Sequence, residues 1–141
     1  MTSEAIASIG AVLKLGDGAS SEVFTQIAGE LRSIDGPQEA VDTYETTHLL
    51  SPGSTKEFLG GWIDPGSYDL ELNWTRDGYS QFSALKAAGV IRNWQVVMPD
   101  TSETTYEFSA LVTSLGRTVP RAGEITFTAT IKVSGPETMA S

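Results

Sequence analysis

The sequence predicts a mainly β protein: an antiparallel β-sandwich or partly closed barrel with one flanking α-helix. Three observations carry that expectation. Sixteen Thr and fifteen Ser among 141 residues is a composition suited to pleated, half-exposed surfaces. Several segments alternate apolar and polar residues with period two. Only one segment has helical spacing with capping residues at both ends. Mostly short connections between the strand segments favour antiparallel pairing. At ~100–200 residues per domain, residues 1–141 form one unit, with an N-terminal arm over 1–9 and a short tail over 136–141.

The elements follow in order. Gly16-Asp17-Gly18 marks a turn. From Glu22 to Leu31, Val23, Thr25, Ile27 and Leu31 fall on one side of an extended run, opposite Phe24, Gln26, Ala28 and Glu30. Asp35-Gly36-Pro37 interrupts it and Glu39–Thr47 resumes it, so the two runs are expected to pair as a hairpin. Residues 49–61 carry Ser51, Pro52, Gly53, Ser54, Gly60 and Gly61 and are expected to form a long loop. That loop and its exit also hold Leu49, Leu50, Phe58, Leu59 and Trp62, which need a surface to cover them: their own domain or another subunit.

Gly66–Arg76 alternates cleanly, with Tyr68, Leu70, Leu72 and Trp74 facing inward and Ser67, Asp69, Glu71, Asn73 and Thr75 outward. Tyr79–Ala88 is the helix: Tyr79, Phe82, Leu85 and Ala88 recur every third residue, Asp77 lies near its start and Gly89 stands at the C-terminal cap position. Ile91–Met98 is apolar on both faces and is expected to be a central strand. Thr105–Leu115 alternates Tyr106, Phe108, Ala110 and Val112 against polar residues, and Glu124–Ser134 alternates Ile125, Phe127, Ala129, Ile131 and Val133 against Thr126, Thr128, Thr130 and Lys132. The expected total is six or seven strands and one helix.

Enzyme chemistry is hard to find. There is no cysteine, hence no disulfide or zinc–thiolate site, and the single histidine, His48, has no nucleophile beside it. No G-x-S-x-G, P-loop or H-E-x-x-H pattern occurs. Asp69 and Glu71 with Asp64 nearby suggest a carboxylate pair or a calcium site on paper. Residues i and i+2 of a strand share a face by default, so they are read as a solvated face; no catalytic residue, metal or cofactor is expected. Trp74 and Trp94 are read as core and Trp62 as an interface residue.

Nine Lys+Arg against eighteen Asp+Glu give a formal charge of −9, which argues against a surface that holds DNA or anionic lipid. It does not argue against a surface that DNA passes. No basic segment followed by an apolar one opens the chain, and no run reaches the ~18–20 apolar residues of a membrane span, so neither secretion nor membrane insertion is expected. Long alternating strands with polar outer faces leave edges open to pairing with other chains.

The order of these features resembles the major tail tube proteins of long-tailed bacteriophages. The resemblance runs from the Glu22–Thr47 segment with Gly36-Pro37, through the 49–61 loop, to Phe58-Leu59-Gly60-Gly61-Trp62-Ile63-Asp64-Pro65-Gly66 opening the alternating strand. It continues through the helix ending at Gly89, Arg92–Pro99 with Trp94, Phe108–Ser114, and Ile131-Lys132-Val133-Ser134-Gly135-Pro136. It implies hexameric rings whose inner sheets join into one barrel and whose stacking makes a tube for DNA ejection. It further implies a loop reaching the adjacent ring, here Leu50, Pro52, Lys56, Phe58, Leu59 and Trp62. The lumen candidates are Asp69, Glu71, Asn73, Thr126, Thr128 and Thr130, with Lys132 a basic exception expected to pair with an acid across the sheet.

Tape-measure, tail terminator and distal tail proteins are the implied partners, with genomic DNA transiting unbound. The implied location is the virion tail, assembled in the host cytoplasm, without the immunoglobulin-like extra domain some relatives carry. A tube or terminator protein of a contractile tail or secretion-type system, and a non-enzymatic β-sandwich binding module, are the alternatives.

Overall fold

The structure is a computed structural model that describes residues 5–6, 10–19 and 21–140. Most of the expected N-terminal arm lies outside the described residues. The strands are β1 (Val12–Gly16), β2 (Phe24–Gln26), β3 (Glu30–Asp35), β4 (Ala40–Glu45), β5 (Phe58–Asp64), β6 (Ser67–Asn73), β7 (Arg92–Val97), β8 (Thr105–Thr118), β9 (Thr126–Val133) and β10 (Thr138–Ala140). One helix, α1 (Arg76–Ala88), lies between β6 and β7. The fold is antiparallel, mainly β and carries one helix, as expected.

The main sheet runs β2-β1-β7-β8-β9-β6-β3, with β10 added to β8, while β4 and β5 pair only with each other. Hydrogen bonds do not close the main sheet into a barrel. Covalent connection nearly does: β2 and β3 stand at opposite ends of the strand order, yet only Ile27, Ala28 and Gly29 separate them. So short a link spans at most about 14 Å. The sheet therefore curls until its two ends approach each other. The Ala28 N–H donates to Gln81 Oε1 at 2.8 Å, tying this crossing to α1.

Alternation sets which face is buried. Leu13 and Leu15 of β1, Tyr68, Leu70 and Leu72 of β6, Trp94 and Val96 of β7, Phe108, Ala110 and Val112 of β8, and Phe127, Ala129, Ile131 and Val133 of β9 join one core. Phe82 of α1 is fully buried in it, with its ring centroid 6.0 Å from Trp94 and 5.8 Å from Phe127. Thr75 caps α1 by accepting from the Gly78 N–H at 3.1 Å, an interaction type that contributes ~1 kcal/mol. Gly89, in the left-handed conformation at φ 63°, ends the helix as its sequence position predicts.

The differences from the sequence expectations have local causes. The run over 22–31 is two strands, broken where the chain crosses between sheet ends, and Val23 is exposed. The expected 22–47 hairpin does not form: β3 pairs with β6, from Glu30 opposite Asn73 to Asp35 opposite Asp69. β4 pairs with β5 instead. Trp74 is 40% exposed rather than core, because β6 ends at Asn73 and the chain turns into the helix cap. Ile125 likewise lies before β9 and is exposed. Residues 138–140 of the expected tail are a strand on β8. β1, which has only five residues and one polar position between its leucines, is an element the sequence reading lacks.

β8 organises the sheet. Residues 105–110 pair with β7, and residues 110–118 pair with β9, with a bulge between Val112 and Ser114. Beyond Ala110, β8 has β9 on one side and, among the described residues, no strand on the other.

Candidate functional site

Two surfaces stand out, an apolar arm and a polar sheet face. The arm is β4, β5 and the residues between them. Every residue of both strands is exposed. Among the described residues, sixteen large apolar side chains are exposed, and eight of these, Val41, Tyr44, Leu49, Leu50, Phe58, Leu59, Trp62 and Ile63, sit on the arm. An apolar concentration of this kind on a projecting element marks an interaction surface. A two-stranded ribbon on its own is only marginally stable in water.

The tip of the arm is framed by hydrogen bonds. The Ser51 N–H donates to the His48 carbonyl at 3.0 Å, and the His48 N–H donates to Ser51 Oγ at 3.0 Å. Ser51 Oγ donates to Glu57 at 2.7 Å, and His48 Nδ1 accepts from the Leu50 N–H at 3.2 Å. This frame holds Leu49 and Leu50 fully out in solvent. His48 is thus a turn-builder, with Nε2 3.6 Å from Glu57.

The base of the arm is equally specified. Gly66 has φ 81°, and a Cβ there would lie 2.5 Å from the Gln38 carbonyl oxygen, so only glycine lets the outgoing and returning chains pass so closely. Asp64 accepts from the Gly66 N–H and from Lys132 Nζ, both at 2.9 Å. Lys132 does pair with an acid, but not across its own sheet: the partner is the last residue of the arm. The Gly66 hydrogen bond first, then Lys132, holds the Asp64 carboxyl below the ordinary aspartate value of 3.8. A lowered folded-state value contributes stability that is present above pH 3.8 and is lost as pH falls through the lowered value. The Asp64 carboxyl resonance should therefore titrate below pH 3.8, and Lys132→Met should move its midpoint upward. An unmoved midpoint would show that the pair does not form in solution.

The polar face is the side of the main sheet opposite its core. The six residues singled out there come together as three facing pairs across β6 and β9: Asp69 with Thr130, Glu71 with Thr128, and Asn73 with Thr126. Thr130 Oγ1 donates to Asp69 at 3.0 Å. β3 extends the row with Glu30, Ser33 and Asp35 opposite Asn73, Glu71 and Asp69, and β8 adds Ser114, Gly116 and Thr118 opposite Thr130, Thr128 and Thr126. These four strands form an acidic and hydroxyl-rich surface with Lys132 at one end.

Of the loop residues singled out, Leu50, Pro52 and Lys56 lie in the connection between β4 and β5, with Pro52 opening a single 3-10 turn. Phe58, Leu59 and Trp62 lie on β5 itself. Val41, Tyr44 and Ile63 belong to the same exposed apolar arm and were missed. Val41 faces Ile63 and Tyr44 faces Leu59 across the ribbon, a relation visible only once the strand pairing is known. Among the described residues no cluster of three or more His, Asp or Glu is placed to hold a metal ion, and no helix is long and apolar enough to cross a membrane.

A curled antiparallel sheet with a polar outer face, unpaired strand edges and an exposed apolar arm is the surface chemistry of an assembly protein. The sequence matches the family described as lambda phage tail tube protein over residues 14–140, and the chain belongs to that family. It is a structural tail tube protein.

Solved structures of similar fold include a chain from the virion of a native gene transfer agent particle, at TM-score 0.76 and 21% identity, covering 97% of this chain and 100% of that one. A second is from the tail of an empty gene transfer agent particle refined with helical and C6 symmetry, at TM-score 0.74 and 23% identity, covering 92% and 95%. A third is from the sheath/tube terminator of an extracellular contractile injection system in its extended state, at TM-score 0.73 and 13% identity, covering 100% of both chains. No curated protein sequence matches the chain.

Proposed function

We propose that six copies form a ring, that rings stack into a tail tube, and that the tube is a non-enzymatic conduit for DNA ejection. The observation that carries this reading is the pair of free edges bounding the polar face. Among the described residues, β3 is the end of the strand order on one side, and residues 111–118 of β8 have no partner strand on the other. Four-stranded units with an open edge on each side join side by side without a seam, so β3 of one copy pairs with β8 of the next. The C6 symmetry of a structurally similar tail supports a count of six.

In that ring the face bearing Asp69, Glu71, Asn73, Thr126, Thr128 and Thr130 lines the lumen. Its chemistry suits passage: acids repel phosphates and hydroxyls contact them weakly, whereas clustered basic groups would hold DNA by counterion release. The arm, with Leu50, Pro52, Lys56, Phe58, Leu59 and Trp62, reaches the adjacent ring. Tape-measure, terminator and distal tail proteins are the partners, DNA passes without specific binding, and assembly takes place in the host cytoplasm before incorporation into the virion tail.

Electron microscopy of the purified protein tests the reading, with stacked six-fold rings around a channel expected. Single rings would favour a terminator, and persistent monomers a binding module. The lumen assignment has its own test in Thr128→Lys. Tubes of this variant should retain DNA at low salt and release it as salt rises, each lysine–phosphate contact adding ~0.9 to the salt slope. Equal DNA retention by variant and parent tubes would remove Thr128 from the lumen.

A further inference from the structure

The reading above requires a receiving surface for the arm, and we propose that it is the far end of the sheet in a second copy of this chain: Trp74, Val119 and Ile125, flanked by Arg76, Arg117 and Arg121. The inference rests on the stacked-ring reading and names the partner surface within it. Head-to-tail stacking joins two different patches, so a complementary surface must lie away from the arm. β6 fixes which end that is. It starts beside the arm base at Gly66 and finishes at Asn73, ~23 Å away at 3.3 Å per residue.

At that far end the chain exposes apolar side chains again. Trp74, Ile125 and Val119 are 40%, 42% and 68% exposed. Trp74 and Ile125 are held together by the Trp74 N–H donating to the Ile125 carbonyl at 2.9 Å. The Trp74 ring lies 6.4 Å from that of Tyr79, over which the Arg117 guanidinium sits at 5.6 Å while donating to the Tyr79 hydroxyl at 2.9 Å. The patch is thus aromatic and hydrogen-bonded, the kind of surface that anchors an interface.

Charge selects the occupant. Arg76, Arg117 and Arg121 make no ion pair among the described residues. The acids at this end are Glu30, Asp77 and Glu124; Glu124 pairs with Arg32 at 3.5 Å and Glu30 accepts from the Asn73 side-chain amide at 3.5 Å. The arm offers the opposite sign: Asp42, Glu45 and Glu57 against Lys56, together with its eight apolar side chains. An apolar, acidic element and an apolar, basic patch at separate sites on one chain are complementary in both respects.

The absence of cysteine makes the test direct. Leu50→Cys combined with Val119→Cys, or with Ile125→Cys, should give a ladder of covalent multimers when assembled tubes meet a bis-maleimide. Leu50→Cys with Thr130→Cys should not. A ladder from the Thr130 pair alone, or none from the far-end pairs in tubes that form, would overturn the proposal. Independently, Arg76→Glu, Arg117→Glu and Arg121→Glu together should raise the protein concentration needed for tube formation about tenfold or more, with the free protein still unfolding cooperatively although Arg117 loses its contacts with Tyr79. Adding Asp42→Lys and Glu45→Lys should restore assembly. Unimpaired assembly of the triple variant also overturns the proposal. If Phe58→Ser/Trp62→Ser abolishes stacking while these tests fail, only the receiving surface is wrong; if that double variant stacks normally, the arm reading falls with it.

Discussion

Replacing Phe58 and Trp62 together by serine is expected to leave a folded protein that no longer polymerises. Both side chains are exposed, at 59% and 81%, and neither belongs to the core. Their removal therefore takes nothing from the core of the free chain. In an assembly, burying Leu50, Phe58, Leu59 and Trp62 contributes about 1.5–3 kcal/mol per side chain as an upper range. Association costs about 4–15 kcal/mol in lost freedom, so losing the two largest groups removes the surplus from each arm. Six arms acting together in a ring multiply the loss. Circular dichroism should show an unchanged melt, and sedimentation should show loss of fast-sedimenting tubes. Tubes at parental concentration would refute the assignment of the arm.

Trp94→Ala is expected to have the opposite signature. Trp94 is fully buried, stacks near Phe82, and donates from Nε1 to the Ala110 carbonyl at 3.2 Å. Its truncation leaves a cavity in the strand order between β1 and β8 and should cost about 3–5 kcal/mol. Against a total stability of about 5–15 kcal/mol, the melting temperature should fall by roughly 10 °C or more. Urea unfolding monitored by far-UV circular dichroism measures this. A drop below about 1 kcal/mol would mean that the core relaxes into the space. The two tryptophans thus separate folding from assembly within one residue type.

The core was legible where a strand is buried on one face and its neighbours obey the same alternation. Tyr68, Leu70 and Leu72, and Phe127, Ala129, Ile131 and Val133, follow from period two alone, and Phe82 from helical spacing. Strand partners were not legible, because pairing is decided across the chain: the turn at Gly36-Pro37 suggested that β3 meets β4, whereas β3 fills the free side of β6. The arm was half legible. Gly60 and Gly61 disguised β5 as loop, although the apolar residues beside them already required a partner surface. The polar face was legible residue by residue, since Asp69, Glu71 and Asn73 alternate on one strand and the threonines on another. Their direct opposition is set by a register that no local pattern encodes.

The strand order also sets a timetable for making the protein. β1 is near the start of the chain, yet its main partner is β7, with Val12 opposite Val97, 85 positions later. At about 5–20 residues per second on the ribosome, β1 waits roughly 4–17 s for that partner. β6 waits roughly 3–11 s for β9, whose Phe127 lies opposite Leu72, 55 positions later. Four of the eight strand pairings among the described residues, β1–β7, β3–β6, β6–β9 and β8–β10, join strands that are not consecutive in the chain, and pairing of that kind folds slowly. The arm needs no later strand, because β4 and β5 follow each other in the chain and pair only with each other. The sticky element of each copy is therefore ready before the body that must carry it. Nascent chains on neighbouring ribosomes are consequently the population most exposed to premature association.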